Sequence, residues 1–257
     1  MNVLHAFILG IVEGVTEFLP VSSTGHMILT DKLLSIPQTD FLTSFEIMIQ
    51  LGAIAAVALL YAGTLLKKRF LWKPLAYAFI PTVIVGFIFY TLIKHVFLGN
   101  AFVVVYSLAI GGVAFLIIEQ NIKKRKTSTT TLESITPKQA IYIGLGQTVS
   151  MIPGVSRSAA SIFSGLMVGL SKEAAVEFSF LLAIPTMIAA TGYDILKTPF
   201  QITPTTITLL SVGLITSFIT ALFAVKLFIG FVKNHSFLPF AVYRIVLAVL
   251  FYFIILR

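Results

Sequence analysis

The amino-acid sequence predicts an all-α polytopic membrane protein, with six transmembrane helices plus two re-entrant helical hairpins in an inverted repeat. Three observations predict it. The chain is 58% hydrophobic and 11% charged, with a mean hydropathy of +1.01, whereas soluble domains carry about 25% charged residues. Six segments, 41–66, 74–93, 101–120, 172–196, 206–232 and 237–256, are long and apolar enough for the ~20 residues a spanning helix needs. Two more apolar segments, 3–34 and 137–170, are broken at their centres by Pro20 and by Pro153-Gly154.

The elements follow in order. Segment 3–34 holds Pro20 followed by Ser22-Ser23-Thr24-Gly25, and segment 137–170 holds Pro153-Gly154 followed by Ser156-Arg157-Ser158. Each break removes helix hydrogen bonds at its centre. Such backbone is tolerated at membrane depth only when buried in protein or lining a wet cavity. Both segments therefore read as pairs of half-helices meeting near the bilayer middle. Lys67-Lys68-Arg69 with Lys73, and Lys123-Lys124-Arg125-Lys126, are the dense basic clusters, and such clusters mark cytoplasmic loops. This makes the first hairpin enter from outside and the second from the cytoplasm. Lys94, Lys197 and Arg257 fall outside, singly.

The result is a hairpin plus three helices, twice, in opposite orientations. The expected organisation is one membrane domain over 1–257: repeat 1 about 1–120, a cytoplasmic linker about 121–136, and repeat 2 about 137–257. Gly10 and Gly144, Glu13 and Gln147, and Thr16 and Ser150 are each 134 residues apart. Inverted repeats place a site at the midplane, where the broken helices meet.

Composition excludes several classes. The net charge is +8, but the basic residues lie in short loops between apolar spans, so they face anionic lipid rather than nucleic acid. There are no cysteines, which excludes disulfides and thiolate metal sites. The N-terminal apolar run carries Glu13 and Glu17 and does not fit a cleavable signal peptide. No zinc-like His/Asp spacing and no Walker-type loop is present.

Ionisable groups inside apolar segments are expensive and mark function. Glu13 and Glu17 are four residues apart and share a helix face. They repel, so one holds a proton or both bind a cation; Mg²⁺ or Ca²⁺ would suit such oxygen ligands. Ser22, Ser23 and Thr24 can cap a second half-helix, whose free N–H groups face an anion. His26 lies one turn inside. Arg157 offers a planar fork for phosphate oxygens, or pairs with Glu13 or Glu17. Glu46 and Glu177 sit one turn inside spanning helices, where they reach either the site or the interface.

At these two motifs the sequence resembles the bacterial undecaprenyl-diphosphate phosphatase family, also called the bacitracin-resistance family. The matching residues run from Glu13 to His26 and from Pro153 to Ser158, with a further match from Phe178 to Pro185. Ala159-Ala160 stand where a Gly-Ala pair is common in the family. The resemblance covers essentially the whole chain. It implies a plasma-membrane, multi-pass hydrolase that converts undecaprenyl diphosphate to the monophosphate on the outer face. That reaction recycles the lipid carrier for peptidoglycan and cell-wall biogenesis, supports cell shape, and confers bacitracin resistance. The catalytic positions it implies are Glu17, His26, Ser23, Arg157 and Glu13. Substrate contacts would come from Ser22, Thr24, Gly25, Ser156, Ser158 and Gly154, and Glu13 and Glu17 could hold a metal. Ser23 could be the nucleophile with His26 as base, or Glu17 or His26 could activate water. Expected partners are the polyprenyl diphosphate, membrane lipids and, as a homodimer, a second copy. A flippase or transporter of the polyprenyl phosphate carrier is the rival reading, because broken helices in inverted repeats are also a transporter design.

Overall fold

A computed structural model describes residues 1–92, 100–122, 129–197 and 203–256. The described residues form ten α-helices: α1 (Val3–Thr16), α2 (Ser23–Leu33), α3 (Asp40–Lys67), α4 (Trp72–Leu92), α5 (Ala101–Ile122), α6 (Pro137–Gln147), α7 (Arg157–Met167), α8 (Lys172–Lys197), α9 (Pro204–Asn234) and α10 (Leu238–Phe251). Among them there is no β-strand, and one isolated bridge joins Thr129 to Leu170. Five helices, α3, α4, α5, α8 and α9, are long and apolar enough to cross a bilayer. The sixth expected span starts as the 14-residue α10 and continues as a π-helix over Tyr252–Leu256. The chain is therefore an all-α membrane protein. Lys94, His95, the Lys123–Arg125–Lys126 cluster and Arg257 lie outside the described residues.

One end of the molecule gathers the loops expected to be basic. Lys68 Nζ donates to Glu133 Oε1 at 2.6 Å, joining the α3–α4 turn to the linker. The Lys68 ammonium holds the Glu133 carboxyl below the usual carboxylate range. Lys172, at the start of α8, lies 3.9 Å from Glu119 on α5 and donates to His235 O at 3.2 Å. The ends of α3, α5 and α9 and the starts of α8 and α10 thus share one side.

Both predicted breaks are present. α1 stops at Thr16, four residues before Pro20, because Pro20 has no N–H to return to the Thr16 carbonyl. The helix restarts at Ser23, capped by Ser22, whose Oγ accepts from Gly25 N–H at 3.3 Å. In the second segment α6 ends at Gln147, a 3₁₀ turn covers Thr148–Met151, and α7 restarts at Arg157. Its cap is Ser156, whose Oγ accepts from Ala159 N–H at 3.3 Å. Both caps hold positive φ, 72° at Ser22 and 78° at Ser156, which costs about 1–3 kcal/mol in a non-glycine residue. The two serines are 134 residues apart. The same offset relates the helix ends: Ser35 (φ 52°) and Gly169 (φ 95°) follow α2 and α7. Ile36 N–H and Leu170 N–H then reach back to Asp31 O and Gly165 O, at 2.9 and 3.0 Å.

The first half-helix of each segment packs on a helix from the other half of the chain. α1 lies on α9, and α6 lies on α4. Small residues make the approach possible, as they must where lipid removes the hydrophobic drive between helices. A Cβ on Gly10 would sit 2.8 Å from Gly213 O, and one on Gly144 would collide with Ala78 O. Thr220 and Thr82 hydroxyls donate to Gly10 O and Gly144 O, at 3.4 and 3.1 Å. Gly144→Leu is therefore expected to lower the detergent melting temperature, by a stability loss of about 1–3 kcal/mol or more from overpacking. Gly63→Ala, where nothing lies within 4 Å of a new Cβ, should leave it unchanged or slightly raised.

Candidate active site

The two broken segments meet, and their polar residues bond to one another. Glu17, just past α1, is 5% exposed. Its Oε2 accepts from Ser23 Oγ at 2.6 Å, and its Oε1 accepts from Arg157 Nη2 at 3.0 Å. One carboxylate thus joins the first residue of α2 to the first residue of α7. Arg157 Nη1 donates to Ser179 O at 3.1 Å on α8, and the guanidinium lies 5.3 Å from the Phe18 ring centroid. Ser179 Oγ and Ser161 Oγ are 2.6 Å apart, so a hydroxyl pair backs the arginine. With the pair this buried, a hydrogen-bonded geometry is required to offset desolvation; Ser23 and Ser179 supply the bonds beyond the pair itself, while Arg157 Nε has no partner.

Glu13 is 1% exposed and its Oε1 has no hydrogen-bond partner. Such an oxygen is costly unless protonated or bound to a ligand. The residue 134 positions later, Gln147, is equally buried and donates to Thr82 and Thr186 hydroxyls at 3.2 and 3.3 Å. Among the described residues no group of three or more His, Asp or Glu side chains is placed to hold a metal ion. The donor set for a hard cation is Glu13, with its free oxygen, and Glu17, whose oxygens are both engaged.

The remaining predicted residues divide. Ser22 and Ser156 cap the half-helices, and Ser156 Oγ lies 3.1 Å from Ser158 Oγ. Ser158 is fully buried and donates to Leu19 O at 2.7 Å, so it ties the two loops together. Gly154 (φ 92°) packs against α5, where a Cβ would lie 2.7 Å from Val104 O. Gly25 faces the same helix, through Leu108. Thr24 is half-buried. His26 does not bond to Ser23: its Nδ1 lies 2.8 Å from Ser22 O and its Nε2 lies 2.6 Å from Tyr243 Oη on α10. Glu46 is half-buried with Oε1 unpartnered, and Glu177 is half-buried on α8.

Two residues of α10 were missed by sequence reasoning: Tyr243 and Arg244. Arg244 is fully buried. Its Nη1 donates to Pro20 O at 3.3 Å and Val155 O at 2.9 Å, and its Nη2 to Gly154 O at 2.7 Å and Ser107 O at 3.2 Å. The guanidinium also lies 5.0 Å from the Phe115 ring centroid. An arginine in the middle of an apolar segment was the available signal, the same anomaly that marked Glu13 and Glu17.

An all-α membrane protein with a buried Arg–Glu–Ser constellation between two broken helices is the class this fold and site define. The family model described as "Bacitracin resistance protein BacA" matches residues 6–250, and the chain belongs to that family. Among similar proteins, undecaprenyl-diphosphatase of Wolinella succinogenes is 47% identical over 253 residues, covering 98% of each chain. Undecaprenyl-diphosphatase of Persephonella marina is 47% identical over 256 residues, covering all of both chains. That of Aquifex aeolicus is 47% identical over 251 residues, covering 98% of each.

Truncating Arg244 leaves up to four carbonyls without their donor, each costing about 1–3 kcal/mol if water cannot replace it. Arg244→Met should therefore lose folded protein on size-exclusion in detergent, and Arg244→Lys should recover part of it.

Proposed function

We propose that this chain is an undecaprenyl-diphosphatase: it hydrolyses undecaprenyl diphosphate to undecaprenyl phosphate and inorganic phosphate. The activity recycles the cell-wall lipid carrier and confers bacitracin resistance. The observation that carries the reading is the Arg157–Glu17–Ser23 chain, which couples a phosphate-binding cation to a carboxylate and a hydroxyl across both loops. Family membership and the relatives' names support it.

Without substrate, Glu17 is the counter-ion of Arg157, 3.0 Å away. A diphosphate competes for the guanidinium, for which phosphate is an equally suited bidentate partner. Glu17 is then released from the guanidinium and keeps its contact with Ser23 Oγ, 2.6 Å away. Ser23 Oγ gives its proton to Glu17 and bonds to the terminal phosphorus, and the bond to the bridging oxygen breaks. Undecaprenyl phosphate leaves with that electron pair. Water then releases phosphate from Ser23, with Glu17 returning the proton. Arg157 and the N-terminal amides of α2 and α7 stabilise the charge that spreads over the phosphoryl oxygens, where phosphoryl-transfer catalysis mainly arises. Direct attack by water, deprotonated by Glu17 or His26, is the competing route. A Mg²⁺ or Ca²⁺ ion would be held by Glu13 and Glu17 and would neutralise phosphate charge when bound.

The repeat is part of this reading. Half-helix ends offset by 134 residues, together with the exchange of α1 and α6 between halves, support two inverted repeats with re-entrant hairpins. By the positive-inside rule the end carrying Lys67–Lys68–Arg69 is cytoplasmic. The first hairpin then opens outward, and the plasma membrane's outer face is the working side.

Glu17→Ala and Arg157→Ala should each lower phosphate release from undecaprenyl diphosphate by about 10³-fold or more, with unchanged elution of the folded protein. Acid quenching with substrate labelled at the terminal phosphate should trap phosphoserine at Ser23. Rapid turnover by Ser23→Ala with no trapped label would instead establish direct water attack. Phosphate release by the solubilised protein separates hydrolysis from carrier transport.

A further inference from the structure

We infer that Tyr243 is a positioning residue for the hydrolysis, holding His26 through Nε2 in one tautomer and one orientation. The inference rests on the diphosphatase reading, and it adds α10 to the site. Ser22 O lies 2.8 Å from His26 Nδ1. A carbonyl only accepts, so Nδ1 carries the proton. In the neutral ring the lone pair is then on Nε2, and the Tyr243 hydroxyl, 2.6 Å away, donates into it. The two rings are nearly parallel, 3° apart, with centroids separated by 5.6 Å.

Both anchors are themselves fixed. Ser22 is the cap of α2, held at φ 72°. Tyr243 precedes Arg244, whose four carbonyl bonds lock α10 against Pro20, Gly154, Val155 and Ser107. The imidazole is therefore held at both nitrogens by rigid elements, one of them 217 residues along the chain from His26. Holding the groups that line a site in one geometry is among the larger contributions a protein makes to rate. The place of Tyr243 also asks for an explanation. It is 44% exposed, beside Val242 and Val246, which are 50% and 51% exposed on the apolar outer face of α10. Phenylalanine would serve that face equally; the hydroxyl earns its position only through His26.

Glu17 and His26 are thereby divided between the walls of the site. Glu17 works with Ser23 from the α1 side, and His26 presents its lone pair toward α10.

Tyr243→Phe removes the hydroxyl and leaves the ring. The expected result is a fall in kcat of about ten-fold with KM unchanged and an unchanged melting temperature. In a His26→Gln background the same substitution should have no further effect. Nitrogen-15 NMR of histidine-labelled protein should give His26 as a single Nδ1–H tautomer, identified by its loss in His26→Gln, and Tyr243→Phe should mix the tautomers. A wild-type rate in Tyr243→Phe, or rate losses that multiply in the double variant, would overturn the inference. If the unaltered protein releases no phosphate, it is the diphosphatase reading that fails. The NMR signals then decide for Tyr243: mixed tautomers in Tyr243→Phe support its hold on His26, and unchanged signals refute it.

Discussion

Four backbone carbonyls converge on Arg244, and the site depends on that convergence. A helix broken inside an apolar slab exposes carbonyls that neither water nor lipid can satisfy there. Two breaks face each other in this fold, so the problem is doubled at one place. The guanidinium solves it with a fork of donors that reaches Pro20 in the first loop and Gly154 and Val155 in the second. Among the described residues no carboxylate pairs with Arg244. Carbonyl dipoles and the Phe115 ring compensate its burial, which leaves Glu17 free for Arg157. A trans peptide points its N–H opposite to its C=O, so pulling Val155 O toward Arg244 turns the Ser156 N–H away from it. Arg244 thus sets the direction of a backbone donor at the start of α7.

The electrostatics of the site follow from this division of labour. One arginine is spent on backbone and the other on a carboxylate. Glu17 serves two masters, a cation and a hydroxyl, at 3.0 and 2.6 Å. Glu13, beside them, keeps one oxygen, Oε1, without a hydrogen-bond partner.

Much of this was legible in the residues. Pro20 and Pro153-Gly154 announced the breaks, since neither ring can return an N–H to the preceding turn. The serines after them announced the caps, and Arg157 with Glu17 was readable as a bridge. Other parts were not readable, for physical reasons. Backbone carbonyls carry no side-chain signature, so nothing in residues 20, 154 or 155 pointed to Arg244. Ser158 reads as a ligand beside Arg157, and only the fold reveals that it is sealed against Leu19 O. His26 stands three residues after Ser23, but the helix turns its ring toward α10 and leaves Ser23 to Glu17. The last span reads as continuous, yet its backbone widens into a π-helix at Tyr252, a change of hydrogen-bond pitch that apolar composition does not encode.

The exchange of half-helices between the two halves has a consequence for how the chain is made. α1 leaves the ribosome long before α9, yet the surface that receives Gly10 and Gly14 is on α9, at Gly213, Ser217 and Thr220. Some two hundred residues must be synthesised before that berth exists. Until then the first broken segment, with its glutamates, is without the α9 surface it packs on in the finished fold. The second broken segment has no such delay, because α4, which carries Ala78, precedes α6. Two halves that look alike when finished are assembled under opposite schedules, one docking onto a partner already in place and the other kept open until nearly the end.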